Sequence, residues 1–275
     1  MTPLLGADCH AHVFNPTRFK YQTDEIYTPL ACQEGTPDQF LTLLELHQLS
    51  HGLLVGAGPY GYDNSCLLDA IAQSNQRFKG IALLPNNVTE HEVERLAAGG
   101  IVGVRINLFN HGVSVLEDAE MPNLLAKIKA ANWFAQIQYG KDQLVDALPI
   151  LERAGVRVII DHCGRPDLSR GIQQPGFQAL LALGRNSNAV VKLSAVYRFS
   201  QQPYPYSDVE PYIQALVEAF TIERCVWASD WPFTRFDARM DYSPLLACLK
   251  RWFPDNNDRQ TILCTNPARL FGFGQ

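Results

Sequence analysis

The stretch LLGADCHAHVF, residues 4–14, contains the first strand candidate of the chain, at 4–10. The residues at the end of that strand help to distinguish between two α/β folds. A doubly wound parallel sheet usually follows its first strand with a glycine-rich turn that binds a dinucleotide. Here the strand candidate ends in His10 and His12, and GAGPYG at 56–61 lacks the spacing of such a turn. The stretch therefore favours a closed (βα)8 barrel over an open sheet.

The rest of the chain repeats this pattern of a short apolar strand followed by a helix. Runs rich in valine and isoleucine predict strands at 4–10, 52–58, 80–85, 102–107, 133–138, 156–161, 190–195 and 225–230. Stretches with helical periodicity alternate with them, at 37–49, 63–76, 89–100, 121–132, 141–155, 175–185, 209–220 and 243–253. Near-continuous apolar strands are typical of a parallel sheet covered by helices. No linker divides the chain, so we expect one TIM-barrel domain over residues 1–275.

Composition and charge exclude several classes of function. The chain has 275 residues, a net charge of -5 and no basic run, which argues against nucleic acid as a partner. No apolar stretch reaches the ~18 residues of a membrane helix, and the N-terminus lacks the features of a signal peptide. Seven scattered cysteines without a C-x-x-C pair are typical of a reducing compartment. We therefore expect a cytoplasmic monomer or small homo-oligomer without a membrane partner.

The first strand also carries an unusual group of polar side chains. Successive side chains of a strand point to opposite faces, so Asp8, His10 and His12 are expected to share one face. The small apolar residues between them would occupy the other face. One interpretation is a polar strand end whose histidines bond to nearby backbone. The other is a set of metal ligands or acid/base groups, and this stretch alone leaves both open.

The ends of the other strands favour the second interpretation, because TIM-barrel enzymes build their active sites at the C-terminal ends of the strands. Polar residues concentrate there, namely His10, His12, Arg105, Asn107, Gln136, Gln138, Asp161, His162, Lys192, Ser194, Arg198, Ser229 and Asp230. His10, His12, His162 and Asp230 are therefore predicted to converge. Neutral imidazoles and a carboxylate suit one divalent cation such as zinc or manganese.

These residues could catalyse hydrolysis with or without a bound cation. Asp230 could accept the proton of an attacking water as general base, and the imidazoles could polarise a carbonyl. Arg105 and Arg198 offer guanidinium groups that can bind a carboxylate in a bidentate way, with a plain structural ion pair as the alternative. The residues thus indicate hydrolysis of a small carboxylate-bearing molecule, with one cation or none.

Five motifs resemble the amidohydrolase superfamily, in the lactone-hydrolase branch that includes the pyrone dicarboxylate hydrolases. They are DCHAHVF (8–14), IIDHCGRPD (159–167), KLSAVYR (192–198), VWASDWPF (226–233) and TNPARLFGF (265–273). The motifs occur in the family's order and span almost the whole chain. The resemblance implies a (βα)8 barrel in which three histidines, His10, His12 and His162, surround the substrate carbonyl and Asp230 activates water.

The resemblance also implies residues that bind the substrate. Arg105 and Arg198 would bind its carboxylates or oxygens, and Tyr27 matches a tyrosine that contacts substrate in the family. Members of this branch differ in whether they bind zinc or manganese or work without a metal. No lysine stands where a binuclear site would need one, so one cation or none is implied.

Three positions depart from the pyrone dicarboxylate hydrolases. Gly58 stands where they have a serine, His111 where they have a second arginine, and Gln138 where they have a tyrosine. Gln138 and His111 are therefore candidate substrate contacts. Since one arginine is replaced, the resemblance implies the same reaction on a different, less anionic lactone.

The leading hypothesis is a hydrolase that opens a lactone, of the sugar-acid or pyrone-carboxylate type, by water attack with Asp230 as general base. The alternatives are a metal-dependent decarboxylase or a lactone isomerase of the same superfamily. A barrel that binds a small molecule without catalysis is the hypothesis from a different class. Retention of His10, His12, His162 and Asp230 together argues against that last hypothesis.

Overall fold

Eight parallel strands form one sheet in which the spatial order follows the chain order, in a computed structural model that describes residues 5–22 and 27–274. The strands are β1 (Ala7–Ala11), β2 (His51–Val55), β3 (Phe78–Ala82), β4 (Ile101–Asn107), β5 (Phe134–Gln138), β6 (Arg157–Ile160), β7 (Val190–Ser194) and β8 (Cys225–Ala228). Each lies within a few residues of its predicted position; of the 4–10 candidate, residue 4 falls outside the described residues. The order β1 to β8 with parallel neighbours is that of a (βα)8 barrel.

The barrel closes at the candidate site itself. The backbone N–H of His12 donates to the carbonyl of Trp231 over 2.8 Å, and the N–H of Asp230 donates to the carbonyl of His10 over 2.9 Å. A parallel bridge pairs Ala11 with Trp231. These bonds join the first and last strands, so the closure of the barrel also brings Asp230 next to the two histidines of β1. The predicted TIM barrel is thus confirmed.

Helices alternate with the strands, and the eight predicted helices are all present. The α-helices are α1 (Pro37–Leu46), α2 (Ser65–Gln73), α3 (Glu90–Ala98), α4 (Leu108–His111), α5 (Met121–Ala130), α6 (Gln143–Ala154), α7 (Pro175–Asn186), α8 (Glu210–Phe220), α9 (Tyr242–Trp252), α10 (Asn256–Gln260) and α11 (Asn266–Phe271). The short α4 and the last two helices were not predicted. Within the described residues, no helix has the length and apolar character needed to cross a bilayer.

Single turns of other helix types connect these elements. The 3-10 turns are Ala31–Gln33, Gly58–Tyr60, Val113–Glu117, His162–Gly164, Leu168–Arg170, Val196–Arg198, Ser207–Val209 and Ile222–Arg224. A π-helical turn, Thr261–Thr265, joins α10 to α11. The turns after β6 and β7 begin within two residues of the strand ends and carry His162 and Arg198, so short connections hold two site residues close to the barrel mouth.

Local chemistry explains where helices begin, as α1 illustrates. The hydroxyl of Thr36 accepts the N–H of Gln39, and the side chain of Gln39 accepts the N–H of Thr36. This capping box satisfies two backbone donors that the first helical turn leaves free. Phe40 and Leu44, four residues apart, are both buried against the barrel. The helix therefore starts at its cap and is fixed by one apolar face.

The interior of the barrel is apolar only in its N-terminal half. One cluster is formed there by Ala7, Cys9, Leu53, Val55, Ile81, Phe134, Ile159, Val190, Val226 and Ala228, with Leu270, Phe271 and Phe273 from the C-terminal end of the chain. The rings of Phe134 and Phe271 lie 5.5 Å apart, so α11 covers this end of the barrel. The polar strand ends are thereby left to the opposite end.

The face predicted for Asp8 is wrong. Its carboxylate accepts the hydroxyl of Tyr242 on α9 over 2.9 Å and the N–H of Ser229 over 3.0 Å, whereas His10 and His12 meet at the barrel mouth. The pairing register between β1 and β2 shifts between Asp8 and Ala11. Such an irregularity adds a residue and breaks the strict alternation of faces. Asp8 therefore joins β1, β8 and α9 instead of facing the site.

Candidate active site

Three imidazoles face one carboxylate oxygen at the mouth of the barrel. Oδ1 of Asp230 lies 3.8 Å from Nε2 of His10, 4.0 Å from Nε2 of His12 and 3.8 Å from Nε2 of His162. Nε2 of His10 and Nε2 of His12 are 3.4 Å apart. All four side chains are buried. The structure thus brings together the four residues that the sequence selected as catalytic or metal-binding.

The other nitrogen of each ring has a fixed partner. Nδ1 of His12 donates to the backbone carbonyl of Val55 over 2.8 Å. Nδ1 of His10 lies 3.1 Å from Oδ1 of Asp161, and Nδ1 of His162 lies 3.0 Å from the hydroxyl of Ser194. The carbonyl of Val55 only accepts, so Nδ1 carries the proton in His12 and Nε2 offers a lone pair. Nδ1 of His10 also lies 3.2 Å from Nζ of Lys192, so a carboxylate and an ammonium group both contact this nitrogen. This is the second-layer arrangement usual for histidines that bind a metal.

The electrostatics keep these groups in the states that a cation would need. Burial lowers the pKa of His12 to about 4 and that of His162 to about 3, and burial together with Lys192 lowers the pKa of His10 as well. Burial alone would raise the pKa of Asp230, but Arg198 and the histidines hold it well below its usual value. At neutral pH the set is therefore three neutral imidazoles and one carboxylate.

This donor set fits a single divalent cation. The Nε2 lone pair of His12 faces Oδ1 of Asp230 with no proton between them, which is unfavourable unless a positive charge lies near both. Imidazole nitrogen and carboxylate oxygen are the usual ligands of zinc. His10, His12 and Asp230 form one group whose ligand atoms are close enough to hold a metal ion, and His10, Asp161 and His162 form a second such group.

A buried polar layer supports His10 from below. Lys192 is fully buried, and its Nζ lies 2.6 Å from Oε1 of Gln136 and 3.2 Å from Oδ1 of Asp161. Gln136 in turn donates to Oδ2 of Asp161 over 2.9 Å. Burial alone would raise the pKa of Asp161, but Lys192 and His10 lower it strongly. The sequence placed these polar residues at strand ends but assigned them no role.

The second oxygen of Asp230 is held by two residues of the turn after β7. Nε of Arg198 lies 2.5 Å from Oδ2 of Asp230, and the hydroxyl of Tyr197 donates to the same oxygen over 2.8 Å. Nη2 of Arg198 donates to the carbonyl of Thr234 over 3.0 Å. Arg198 directs its Nε and Nη2 to Asp230 and its loop, and it also lines the cavity, so its predicted contact with substrate stays a prediction.

A cavity of about 240 Å³ opens above these groups. Its lining consists of His12, Tyr27, Gly58, Leu83, Arg105, Asn107, Phe109, Asn110, Gln138, His162, Arg165, Arg198, Asp230, Thr234 and Arg235. Arg105, Gln138 and Tyr27, three predicted substrate contacts, lie in this lining, and Nη2 of Arg105 donates to Oε1 of Gln138. His10 lies below the lining.

His111 is not part of this cavity. Its side chain is exposed at the end of α4, and its predecessors Phe109 and Asn110 line the cavity instead. The short helix turns the chain so that positions 109 and 110 face the cavity and position 111 does not. The structure therefore gives the predicted substrate contact at His111 no support.

Two arginines of the lining were not predicted. Arg165 lies in the turn after β6, and Arg235 lies in the loop after β8. With Arg105 and Arg198 they give the lining, among residues 5–22 and 27–274, four arginines and the one carboxylate of Asp230. The expectation of a less anionic substrate rests on the arginine replaced at His111 and stays a prediction. Arg235 lies in a loop beyond the end of its strand, so no periodic pattern in the sequence pointed to it.

Comparison with known proteins gives the family of the chain. The amidohydrolase model, Amidohydro_2, matches residues 7–273. A 4-sulfomuconolactone hydrolase of Rhizobium radiobacter is 33% identical over 96% of this chain and 89% of its own length. A 2-pyrone-4,6-dicarboxylate hydrolase of Comamonas testosteroni is 26% identical over 98% of this chain and 90% of its own length.

A solved structure shows the same architecture. It is a probable 2-pyrone-4,6-dicarboxylic acid hydrolase from Acinetobacter baumannii with citric acid bound, with a TM-score of 0.90 and 32% identity. The match covers 98% of this chain and all of that one. The family match spans nearly the whole barrel and includes every residue of the histidine and aspartate cluster. The chain belongs to the amidohydrolase family.

Proposed function

We propose that the protein is a hydrolase that opens an anionic lactone to its hydroxy acid. The observation that carries the proposal is the convergence of three imidazole Nε2 atoms on Oδ1 of Asp230, directly below a cavity lined by four arginines. The imidazoles and Asp230 can activate water and a carbonyl, and the arginines can bind negative charge. The relatives named as hydrolases of a sulfomuconolactone and of a pyrone dicarboxylate support this substrate class.

The reaction follows from the positions of these groups. The lactone carbonyl would lie against the imidazoles of His12 and His162, which line the cavity. Water attacks the carbonyl carbon, and Asp230 takes its proton as general base. The ring C–O bond then breaks, and the ring oxygen leaves with that proton to give the hydroxy acid. Asp230 starts ionised because Arg198 and the histidines lower its pKa after burial has raised it.

The site is proposed to hold one divalent cation, zinc or manganese, through His10, His12, His162 and Asp230. When bound, such a cation supplies Lewis-acid polarisation of the carbonyl and of the attacking water. Asp161, Val55 and Ser194 orient the three imidazoles for this purpose through their Nδ1 atoms. A reaction without metal would rely on Asp230 and on His162, whose Nδ1 can accept the hydroxyl of Ser194 and so leave the ring proton on Nε2.

Three residues of the lining are proposed to bind substrate. Arg105 has its Nε buried without a hydrogen-bond partner among the described residues, while its Nη2 donates to Gln138. That Nε also lies 3.6 Å from Oδ2 of Asp161, so an internal carboxylate faces one side of the guanidinium. Because Arg105 also lines the cavity, its guanidinium is proposed to bind a substrate carboxylate there. Tyr27 faces the same cavity and would contact the substrate from the loop after β1.

The test is proton release from a panel of lactones at constant pH. The panel pairs lactones that carry carboxylate or sulfonate groups with neutral sugar lactones, and each is assayed as purified, after chelation, and with zinc or manganese added. We expect turnover of an anionic lactone, lost on chelation and restored by metal. Turnover that survives chelation would contradict the proposal that activity requires a bound cation. Release of carbon dioxide without ring opening would favour a decarboxylase.

Asp230→Asn tests the general base within this experiment. We expect a loss of kcat of about 10² to 10⁴-fold with an unchanged fold, since the amide cannot accept the proton. The matched control is Asp241→Asn, which alters an exposed carboxylate paired with Arg239. Full activity of Asp230→Asn would contradict the assignment.

A further inference from the structure

The four arginines of the cavity differ in what they bind. Arg105 contacts Gln138 and lies 3.6 Å from Asp161, and Arg198 is paired with Asp230. Arg165 and Arg235 have no carboxylate oxygen within 4.0 Å among residues 5–22 and 27–274. Both nevertheless line the cavity. Two guanidinium groups are therefore available in a pocket that must accept a ligand.

Among the described residues, an aromatic ring and not a carboxylate holds Arg165 in place. Its guanidinium carbon lies 4.0 Å from the centroid of the Phe109 ring, which is a cation–π contact. Burial, with Arg198 nearby, lowers its pKa to about 10, so the group remains charged at neutral pH. Its backbone lies in the left-handed region, at a φ of 45°. A charge removed from water without a partner is costly, and an anionic ligand would relieve that cost.

Arg235 approaches the same part of the cavity from the loop after β8. Its Nη1 donates to Oδ1 of Asn110 over 3.3 Å, and its guanidinium carbon lies 5.3 Å from the centroid of the Tyr27 ring. Asn110 follows Phe109 in α4, so two adjacent residues of one helix position the two guanidinium groups. His111, the residue that replaces an arginine in sequence, lies next to them but does not face the cavity.

We propose that Arg165 and Arg235, positioned by Phe109 and Asn110 of α4, form an outer anion subsite. This subsite binds a carboxylate or sulfonate of the substrate that is remote from the reacting carbonyl. Arg105 serves a separate anionic group or oxygen nearer the β4 end, so the substrate carries at least two polar groups held apart. The inference rests on the proposed function and makes Arg235 a specificity-determining residue supplied by the β8 loop.

Binding of citrate, measured by calorimetry on the whole protein, tests the subsite without turnover. We expect Arg235→Gln and Arg165→Gln each to weaken citrate binding by about tenfold, which corresponds to about 1.4 kcal/mol. The matched control is Arg239→Gln in the same loop, whose side chain is 88% exposed and pairs with Asp241. That variant should bind citrate within about twofold of the wild type.

Two outcomes would overturn the subsite. One is equal citrate affinity in Arg235→Gln and Arg239→Gln, and the other is no citrate binding by the wild type at millimolar concentration. A further variant, Asp24→Asn with Glu25→Gln, covers the acidic residues that lie outside the described ranges. We expect no more than about threefold change from it, and a tenfold gain in affinity would show that these carboxylates occupy the subsite.

Kinetics then separate this inference from the proposed function. On a lactone with two anionic groups, Arg235→Gln should lower kcat/KM about tenfold, and on its singly charged analogue it should change kcat/KM by less than about twofold. Equal losses on both lactones would overturn the subsite while leaving the hydrolase in place. Absence of lactone turnover by the wild type would overturn the hydrolase, and the citrate result would still decide the subsite.

Discussion

Nε of Arg198 lies 2.5 Å from Oδ2 of Asp230, so the arginine expected to bind substrate is paired with the proposed general base. Its Nη2 also donates to the carbonyl of Thr234, four residues beyond Asp230. The residue therefore holds the carboxylate and its loop together. Asp230 itself has a φ of 67°, a backbone state that needs support from its surroundings.

This pairing predicts that Arg198→Lys lowers kcat and leaves KM within about twofold. Lysine is a single ammonium and cannot make both of the bonds that the guanidinium makes, so Asp230 loses its fixed orientation. We expect about a tenfold fall in kcat or more, measured by steady-state kinetics on the lactone identified in the panel. A rise in KM with unchanged kcat would instead return Arg198 to the substrate-binding role expected from sequence.

The buried pair of Lys192 and Asp161 predicts a large effect on stability. Lys192→Met removes the nearer cation from the fully buried carboxylate of Asp161, which keeps Gln136 and His10 as partners and Arg105 at 3.6 Å. We expect the free energy of unfolding to fall by about 3–5 kcal/mol. Urea unfolding measures this, and the double variant Lys192→Met with Asp161→Asn should recover part of the loss. A single variant as stable as the wild type would contradict the ion pair.

The buried histidines predict that the protein loses stability in acid. His51 is the clearest test, because it is buried but lies outside the candidate site. Its Nδ1 lies 2.8 Å from the hydroxyl of Ser50, and burial, with Arg77 nearby, lowers its pKa to about 4. Between about pH 6.5 and pH 4 the unfolded histidine binds a proton that the folded one does not. The free energy of unfolding therefore falls as pH is lowered through this range, by up to about 1.4 kcal/mol per pH unit for each such histidine.

Urea unfolding at a series of pH values from 7.5 to 4.5 checks this slope. His12 and His162 contribute with the same sign, because burial also lowers their pKa values. His51→Gln should make the slope less steep, and His91→Gln, a change at an exposed position, should not. A slope that is unaltered in His51→Gln would show that this histidine does not titrate differently on folding.

The lack of a side chain at Gly58 leaves room for the ring of Tyr27 in the cavity. A Cβ atom at position 58 would lie 3.3 Å from Cε1 of Tyr27, tighter than most real contacts of this kind. Gly58→Ser should therefore displace the ring and raise KM a few-fold, with kcat within about twofold. Gly58→Ala is the matched variant, and an equal rise in KM would show that the effect is steric. An unchanged KM in both would show that Tyr27 does not confine the substrate.

The sequence determined the fold because the information for it is local and repeated. Each βα unit carries its own apolar strand and amphipathic helix, so eight units could be recognised one at a time. The catalytic candidates followed for the same reason, since His10, His12, His162 and Asp230 all stand at strand ends, and parallel strands bring their ends to one mouth. The family motifs indicated a hydrolase, because a motif can be recognised without knowing any contact between distant residues.

The tertiary structure alone decided the contacts that depend on irregular backbone. A register shift after Asp8 reversed its expected face, because one added residue changes the alternation along a strand. Arg198 met Asp230 and Arg235 met Asn110 because loops after different strands fold over the same mouth. Loop conformation is set by packing across the barrel, and pairs separated by 32 and 125 positions leave no local pattern in the sequence.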